Sequence, residues 1–231
     1  MTYERIRTAQ FLLRENRFTA QVLLDGAPVR VHVKNTGRCA ELLTPNATVY
    51  LAGAENPARK TAWDLVAVEK GPLLINMDSA APNKAAGEWL AAGGLGELSG
   101  LRAEYTVGDS RFDFHALRGG APLLVEVKGC TLENEGVAAF PDAPTLRGLK
   151  HVRELTALAA GGWQCCVLVV IQMKGVRLFR PNWATQPAFG RALAEAQAAG
   201  VQLLAMDCRV TPDSMVLDAP VPIDLTVPEG V

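Results

Sequence analysis

Three ionisable residues interrupt two runs of apolar sequence, and their types suit chemistry on a phosphate. Asp113 lies in RFDFH, while Glu126 and Lys128 lie in LLVEVKG, with twelve residues between Asp113 and Glu126. Two carboxylates on neighbouring strands can bind one Mg²⁺ or Mn²⁺ ion through oxygen ligands. A lysine on the same face can orient or deprotonate a metal-bound water, or offset charge in the transition state. These three residues are therefore candidates for a catalytic site, with Asp113 and Glu126 as candidate metal ligands.

The alternation of side chains along a strand assigns each residue to a face. In RFDFH it predicts that Phe112 and Phe114 share one face and that Asp113 lies on the other. In LLVEVKG it predicts that Glu126 and Lys128 lie opposite an apolar face. That apolar face comprises Leu123, Val125 and Val127. A solvated sheet face would give the same pattern, so the residues alone leave both interpretations open.

Other charged residues could complete the site. Glu88, in the predicted helix PNKAAGEWLAAG, is a candidate third metal ligand, although a surface helix position explains it equally well. A later predicted helix has a polar face formed by Arg147, Lys150, His151 and Glu154. This face could contact a phosphate or simply be solvated. The predicted nucleic-acid-binding residues are Arg38, Arg111, Arg147 and Lys150.

The composition is that of an ordinary globular protein. Of the 231 residues, 49% are hydrophobic and 20% are charged, and the net charge of −1 excludes a general electrostatic attraction to nucleic acid. The N-terminus lacks the pattern of a secretory signal, and the longest strongly apolar run, at 165–171, is too short to cross a membrane. Five cysteines without a C-x-x-C pair favour free thiols over zinc or disulfides. We expect a cytoplasmic protein.

The pattern of elements changes near residue 80. Before it, five alternating segments predict a small β-barrel of the OB-like type: RFTAQVLL, VRVHVKN, ATVYLAG, AWDLVAVEK and PLLINMD. Residues 1–60 contain nine lysines and arginines against five acidic residues, a mild local excess of positive charge. After residue 80 the predicted order is αβββαβαβ. The fold class is therefore α/β (α+β), with a barrel at 1–80 and an α/β sandwich at 81–231.

Two resemblances add to this interpretation. The order αβββαβ, with an acidic residue in the second strand and E-x-K in the third, resembles the core of PD-(D/E)xK nucleases. Over nearly its whole length the chain also resembles the SfsA family, the sugar fermentation stimulation protein A homologues. The segments that carry this second resemblance are RFTAQVLLDG (17–26), HVKNTGRCAELLTPNATVYL (32–51), NMDSAAPNK (76–84), SRFDF (110–114) and EVKGCTLENEGVAAFPDAPTLRGLKH (126–151). It implies an OB-like barrel followed by a PD-(D/E)xK-like domain.

The family resemblance implies DNA binding without sequence specificity and a regulatory role in sugar, particularly maltose, metabolism. It implies active-site residues at Asp113, Glu126 and Lys128, with Glu88 as a further carboxylate. Two hypotheses follow: a Mg²⁺- or Mn²⁺-dependent nuclease acting on DNA, or a non-catalytic DNA-binding regulator with a nuclease fold. A third, an enzyme of small-molecule metabolism, finds no G-x-G-x-x-G motif, Walker lysine loop or Ser/His/Asp arrangement in the sequence.

Overall fold

The computed structural model describes residues 1–35, 37–54 and 59–230. Its N-terminal part contains six strands: β1 (Arg7–Arg14), β2 (Thr19–Leu24), β3 (Ala27–Val33), β4 (Thr48–Gly53), β5 (Trp63–Lys70) and β6 (Leu73–Asn76). The order in the sheet is β3-β2-β1-β4-β5-β6, and β3 also pairs with β5. This extra pairing closes five strands into an OB-like barrel, as the sequence predicts, and β6 extends it beside β5.

Strand β1 was not among the segments predicted from the sequence. It pairs with β2 on one side and with β4 on the other, so the barrel cannot close without it. Its polar residues, including Arg7 and Arg14, conceal the alternation, but Ala9 and Phe11 are buried in the barrel core. The predicted β2–β3 hairpin is confirmed, with Asp25 and Gly26 both at positive φ in the turn.

The rest of the chain contains three helices and nine strands in the part that the structure describes. The helices are α1 (Ala81–Ala91), α2 (Leu146–Ala160) and α3 (Pro187–Ala198). The strands are β7 (Ser99–Val107), β8 (Ser110–Arg118), β9 (Ala121–Cys130), β10 (Glu133–Asn134), β11 (Val137–Phe140), β12 (Gln164–Ile171), β13 (Leu178–Pro181), β14 (Gln202–Thr211) and β15 (Ser214–Pro220).

A six-stranded sheet with order β15-β14-β12-β9-β8-β7 forms the centre of this second part. Helix α1 packs on one face of the sheet, and α2 and α3 pack on the other. Strand β12 is buried over nearly its whole length because it is covered on both faces. The predicted order αβββαβαβ is present, together with β15 and a small sheet of β10, β11 and β13 that the sequence pattern did not indicate.

Helix α1 begins without a side-chain cap from Ser79 or Asn83. The N-cap residue is Ala80, without a side-chain cap, and Ser79 instead donates a hydrogen bond to the carbonyl of Lys34 in the barrel. The carboxylate of Asp78 accepts the N–H of Ala80. Asn83 is therefore free for another contact, which is described below. No helix in the described ranges has the length and apolar character needed to span a membrane.

Candidate active site

The candidate site lies where strands β8 and β9 separate. Their antiparallel pairing runs from Arg118–Ala121 to Phe114–Val125 and stops there. In the next position the Asp113 carboxylate takes the place of the main-chain ladder, because its Oδ2 accepts the N–H of Val127 at 2.7 Å. This hydrogen bond holds Asp113 next to the segment Glu126–Lys128 of β9.

The prediction that Phe112 and Phe114 share a face is wrong. Phe114 packs against α1, where a Cβ added to Gly87 would lie 3.2 Å from its ring, whereas Phe112 packs with α2 on the opposite side of the sheet. The strand therefore loses its strict alternation at Asp113, the residue between them. In β9 the predicted alternation is confirmed, since Val125 packs on the α1 side and Glu126 faces α2.

Glu126 is the buried centre of the site. Its side chain is 4% exposed, and its Oε1 accepts hydrogen bonds from Lys128 Nζ at 2.5 Å and from His151 Nδ1 at 2.6 Å. Its Oε2 is also buried but has no hydrogen-bond partner among the described residues. Burial raises the pKa of Glu126, but His151 and Lys128 outweigh this effect and leave the pKa below its usual value. Glu126 is thus an ionised carboxylate with one unsatisfied oxygen.

Asp113 has the opposite electrostatic character. Its pKa is raised, first by burial and then by the charge of Glu126, although the Val127 N–H and the Asn83 side chain stabilise the carboxylate. Asn83 donates to Asp113 Oδ1 at 2.6 Å from the first turn of α1. A carboxylate whose ionisation is opposed by a neighbouring negative charge is a favourable place for a cation.

His151 is the site residue whose role sequence reasoning missed. The helical spacing assigned it to a polar face that could contact a phosphate or be solvated. Its side chain is instead 6% exposed and contacts both Glu126 and the ring of Phe112, at a centroid distance of 5.4 Å. One feature of the sequence indicates this burial: His151 directly precedes Val152 and therefore lies at the margin of the apolar stripe of α2. This stripe begins at Leu149, since Leu146 is 80% exposed.

Glu88 lies apart from this cluster of contacts. Its carboxylate forms an ion pair with the amino group of Met1 at 2.5 Å, and its side chain is 59% exposed. Five positions separate Glu88 from Asn83 along α1, which places the two side chains on different faces of the helix. Within the described ranges, no three His, Cys, Asp or Glu side chains are grouped closely enough to hold a metal by themselves. The two carboxylates that the structure brings near each other are those of Asp113 and Glu126.

A cleft of about 980 Å³ lies between the barrel and the second part of the chain, and neither Asp113 nor Glu126 is among its lining residues. Pro82 and Gly129 line it, and the adjoining Asn83 and Lys128 contact Asp113 and Glu126. Its charged lining residues are Arg14, Arg17, Arg38 and Asp142. Three guanidinium groups against one carboxylate make the cleft locally basic in a chain of net charge −1.

Arg14 organises the barrel side of the cleft. Its guanidinium donates hydrogen bonds to five main-chain carbonyls, those of Asn16, Arg17, Asn35, Gly37 and Arg38. Asn35, Gly37 and Arg38 are thereby tied to the β1–β2 hairpin, and the Asn35 side chain also accepts the N–H of Gly37. The side chain of Arg38 remains exposed at this position.

The remaining predicted phosphate-binding residues lie outside the lining of the cleft. Arg111 is exposed and lies 3.5 Å from Glu104 on the neighbouring strand β7. Arg147 and Lys150 are exposed on α2, and Lys150 is 3.6 Å from Glu154. Arg147 lies one helical turn before His151, on the flank of the helix that faces Glu126. Of the four predicted nucleic-acid-binding residues, only Arg38 lines the cleft.

Two family models match the chain. Residues 12–77 match the model described as SfsA N-terminal OB domain, and residues 80–214 match the model described as Sugar fermentation stimulation protein RE domain. The boundary between the matches falls between β6 and α1.

Curated relatives and a solved structure agree with these matches. The chain is 53% identical to the sugar fermentation stimulation protein homolog of Desulfitobacterium hafniense, covering 93% of this chain and 94% of that relative. It is 48% identical to the homolog of Alkaliphilus oremlandii, covering 97% and 99%. The solved structure of Pyrococcus furiosus SfsA in complex with Ca²⁺ is similar with a TM-score of 0.86 at 26% identity, covering 97% of this chain and 98% of that one.

Proposed function

Because the chain belongs to the SfsA family of sugar fermentation stimulation proteins, we propose that it is a metal-dependent phosphodiesterase that cleaves the DNA backbone beside Asp113 and Glu126. The observation that carries this proposal is the buried Glu126 carboxylate, whose Oε2 is without a hydrogen-bond partner among the described residues. An unsatisfied buried anionic oxygen is energetically costly, and a bound cation would remove that cost.

The donor set fits Mg²⁺ or Mn²⁺. These ions prefer oxygen ligands, and Mg²⁺ in particular is held in proteins by one or two carboxylates together with waters and substrate phosphates, rather than by a complete protein cage. Asp113 and Glu126 supply such a pair. The Pyrococcus furiosus relative was solved with Ca²⁺, another oxygen-seeking divalent ion, which supports a divalent-ion site in this chain.

The residues of the site have separate tasks. A bound divalent ion supplies Lewis-acid activation of a water and neutralises phosphate charge. Asp113 and Glu126 would hold it, and the Lys128 ammonium, 2.5 Å from Glu126 Oε1, would offset the negative charge that grows on the phosphate during cleavage. Arg17 and Arg38 would bind the flanking phosphates of a strand lying in the cleft. An OB-like barrel is a common platform for such a strand.

The decisive experiment compares the wild type with Asp113→Ala in the presence of Mg²⁺ or Mn²⁺. Each protein is titrated with the metal by calorimetry and then incubated with single- and double-stranded DNA. We expect the wild type to bind metal and cleave DNA, and Asp113→Ala to lose both while retaining most of its DNA affinity. Glu104→Gln is a matched control, because Glu104 is an exposed carboxylate on the adjacent strand β7.

Two other outcomes would redirect the proposal. Cleavage by Asp113→Ala at the wild-type rate would overturn it. DNA binding without metal binding or cleavage would favour the second hypothesis, a sequence-non-specific DNA-binding regulator of sugar metabolism. Glu88→Gln tests the predicted third ligand, and from its ion pair with Met1 we expect unchanged metal affinity in that variant.

A further inference from the structure

We propose that His151 is a positioning residue that fixes the Glu126 carboxylate so that Oε2 faces the divalent ion, an inference that rests on the metal site of the proposed function. The relevant contact is short and buried: His151 Nδ1 lies 2.6 Å from Glu126 Oε1, and the two side chains are 6% and 4% exposed.

The hydrogen bonds of Glu126 are divided unequally between its two oxygens. Lys128 and His151 both donate to Oε1, while Oε2 has no partner in the described part of the chain. Two donors converging on one oxygen define the rotation of the carboxylate about its terminal bond. The result is a single orientation in which only Oε2 is available for a ligand.

Helix α2 holds His151 in place from several directions. Thr145 caps the helix by accepting the N–H of Gly148 at 3.0 Å, and Gln186 accepts the N–H of Thr145 at 2.8 Å. The His151 ring also packs on Phe112. Because the helix and the ring are both fixed, His151 can impose an orientation on Glu126.

Lys128 cannot perform this task alone. Its side chain is on the same strand as Glu126, two residues away, and a lysine ammonium is a mobile point charge on a flexible stem. The imidazole is a planar donor on a different element. It therefore ties β9 to α2 at the metal-binding carboxylate, which is the usual arrangement of a residue that orients a ligand from behind.

Three substitutions test the assignment in the full-length, DNA-free protein, with Mn²⁺ affinity measured by calorimetry. The amide nitrogen of asparagine occupies nearly the place of histidine Nδ1, whereas that of glutamine lies near Nε2. We expect His151→Asn to keep Mn²⁺ affinity within a few-fold of the wild type. His151→Gln and His151→Phe should lower it by about 10- to 100-fold.

Val152→Ala is the matched control, since it removes packing from the same part of α2 without touching Glu126. It should lower the melting temperature and leave Mn²⁺ affinity unchanged. Wild-type affinity in His151→Phe, or an equal loss in Val152→Ala, would overturn the role of His151 alone. A wild-type protein that binds no Mn²⁺ would overturn the proposed metal site itself, and the inference with it.

Discussion

The Asp113 carboxylate accepts the main-chain N–H of Val127 at 2.7 Å, at the point where β8 and β9 stop pairing. A side chain thus completes a hydrogen bond that the sheet leaves open. The same carboxylate is half-buried and close enough to Glu126 for that charge to help raise its pKa. Asp113 therefore stabilises the backbone through a hydrogen bond while its charge opposes folding. The two effects can be separated by mutation.

Asp113→Asn should be at least as stable as the wild type at neutral pH while losing metal binding. Burial and the Glu126 charge raise the pKa of Asp113, so its ionised form is the less favourable one in the folded state. Asparagine removes the charge but still offers an oxygen to the Val127 N–H. Asp113→Ala removes that acceptor as well, and its free energy of unfolding should be about 1–3 kcal/mol lower than that of Asp113→Asn. Urea denaturation of both variants at pH 7 measures the difference.

This prediction fails if Asp113→Asn and Asp113→Ala have the same free energy of unfolding. Because the raised pKa gives the protonated form an advantage, the wild type should also gain stability relative to Asp113→Asn as the pH falls from neutrality and Asp113 becomes protonated. If the difference in unfolding free energy between the wild type and Asp113→Asn does not change with pH, then ionising Asp113 does not destabilise the fold.

The composition of the site could be predicted from the sequence, but its geometry could not. The spacing of Asp113, Glu126 and Lys128 and the alternation in β9 indicated that these residues lie near one another, which the structure shows. The alternation failed in β8, because Asp113 lies where the strand leaves its partner and its side chain replaces the main-chain ladder. Period-two patterns describe paired strands, and they carry no information about where pairing ends.

His151 was missed for a related reason. Helical periodicity divides residues into an apolar and a polar face, and a histidine that contacts a buried carboxylate reads as polar. What decides its burial is the position of Glu126 on a strand distant in sequence. Arg14 in strand β1 is a second example. Its residue type is typical of the surface, although its guanidinium donates hydrogen bonds to five main-chain carbonyls. The carboxylate that His151 contacts is distant in sequence and leaves no local signal. The same holds for three of the five carbonyls that Arg14 binds, those of Asn35, Gly37 and Arg38.

Asp64 is predicted to stabilise the closure of the barrel. It accepts hydrogen bonds from Arg59 at 2.7 Å and from His32 at 3.0 Å, and His32 and Asp64 are one of the two residue pairs that join β3 to β5. Burial raises the pKa of Asp64, but Arg59 and His32 outweigh it and hold the pKa below its usual value. We expect Asp64→Asn to destabilise the protein by about 1–2 kcal/mol at pH 7.

The lowered pKa of Asp64 also predicts how the stability difference between the wild type and Asp64→Asn changes with pH. A carboxyl with a lowered pKa contributes stability above its unfolded pKa of about 4, and that contribution is lost as the pH falls through the folded value. The difference between wild type and Asp64→Asn should therefore shrink below about pH 4. Asp25→Asn is the control, since Asp25 pairs with Arg7 on the barrel surface and should change stability little. Equal effects at both positions would contradict the prediction.

Gly129→Ala should disturb both stability and the candidate site. A Cβ at this position would lie 2.6 Å from Pro82 Cγ and 2.7 Å from Gln172 Oε1, so β9 and the start of α1 must move apart. Overpacking of this kind costs about 1–3 kcal/mol. Because Asn83 follows Pro82 and Lys128 precedes Gly129, the same displacement should weaken metal binding. Thermal unfolding and calorimetry measure the two effects, with Gly161→Ala at the end of α2 as a control that should leave metal affinity intact.

Arg38 and Arg17 are predicted to contact DNA phosphates in the cleft. Each phosphate contact releases condensed counterions, so losing one should reduce the slope of log affinity against log salt by about 1. Arg38→Ala and Arg17→Ala should each show this change, measured by fluorescence anisotropy with a labelled single strand at several salt concentrations. Arg30→Ala is the control, since Arg30 pairs with Glu15 and does not line the cleft. An unchanged slope in Arg38→Ala would exclude it as a phosphate contact.

Arg14→Lys should weaken DNA binding although it preserves the charge. The five carbonyls that Arg14 binds include those of Asn35, Gly37 and Arg38, and a lysine ammonium with three donors at one point cannot reach all of them. The segment carrying Arg38 should then lose its fixed position, and the amides of Gly37 and Arg38 should exchange hydrogen faster.

If Arg14 acts by positioning Arg38, the affinity lost in Arg14→Lys should largely overlap with the loss in Arg38→Ala. The double variant should then bind more tightly than the sum of the two single losses requires. Additive losses would instead mean that each arginine contacts DNA on its own. Arg59→Lys, at an arginine paired with Asp64 and outside the cleft lining, is a control for the same chemical change. It should lower stability without altering DNA affinity, because the hydrogen bonds from Arg14 to the segment that carries Arg38 stay in place.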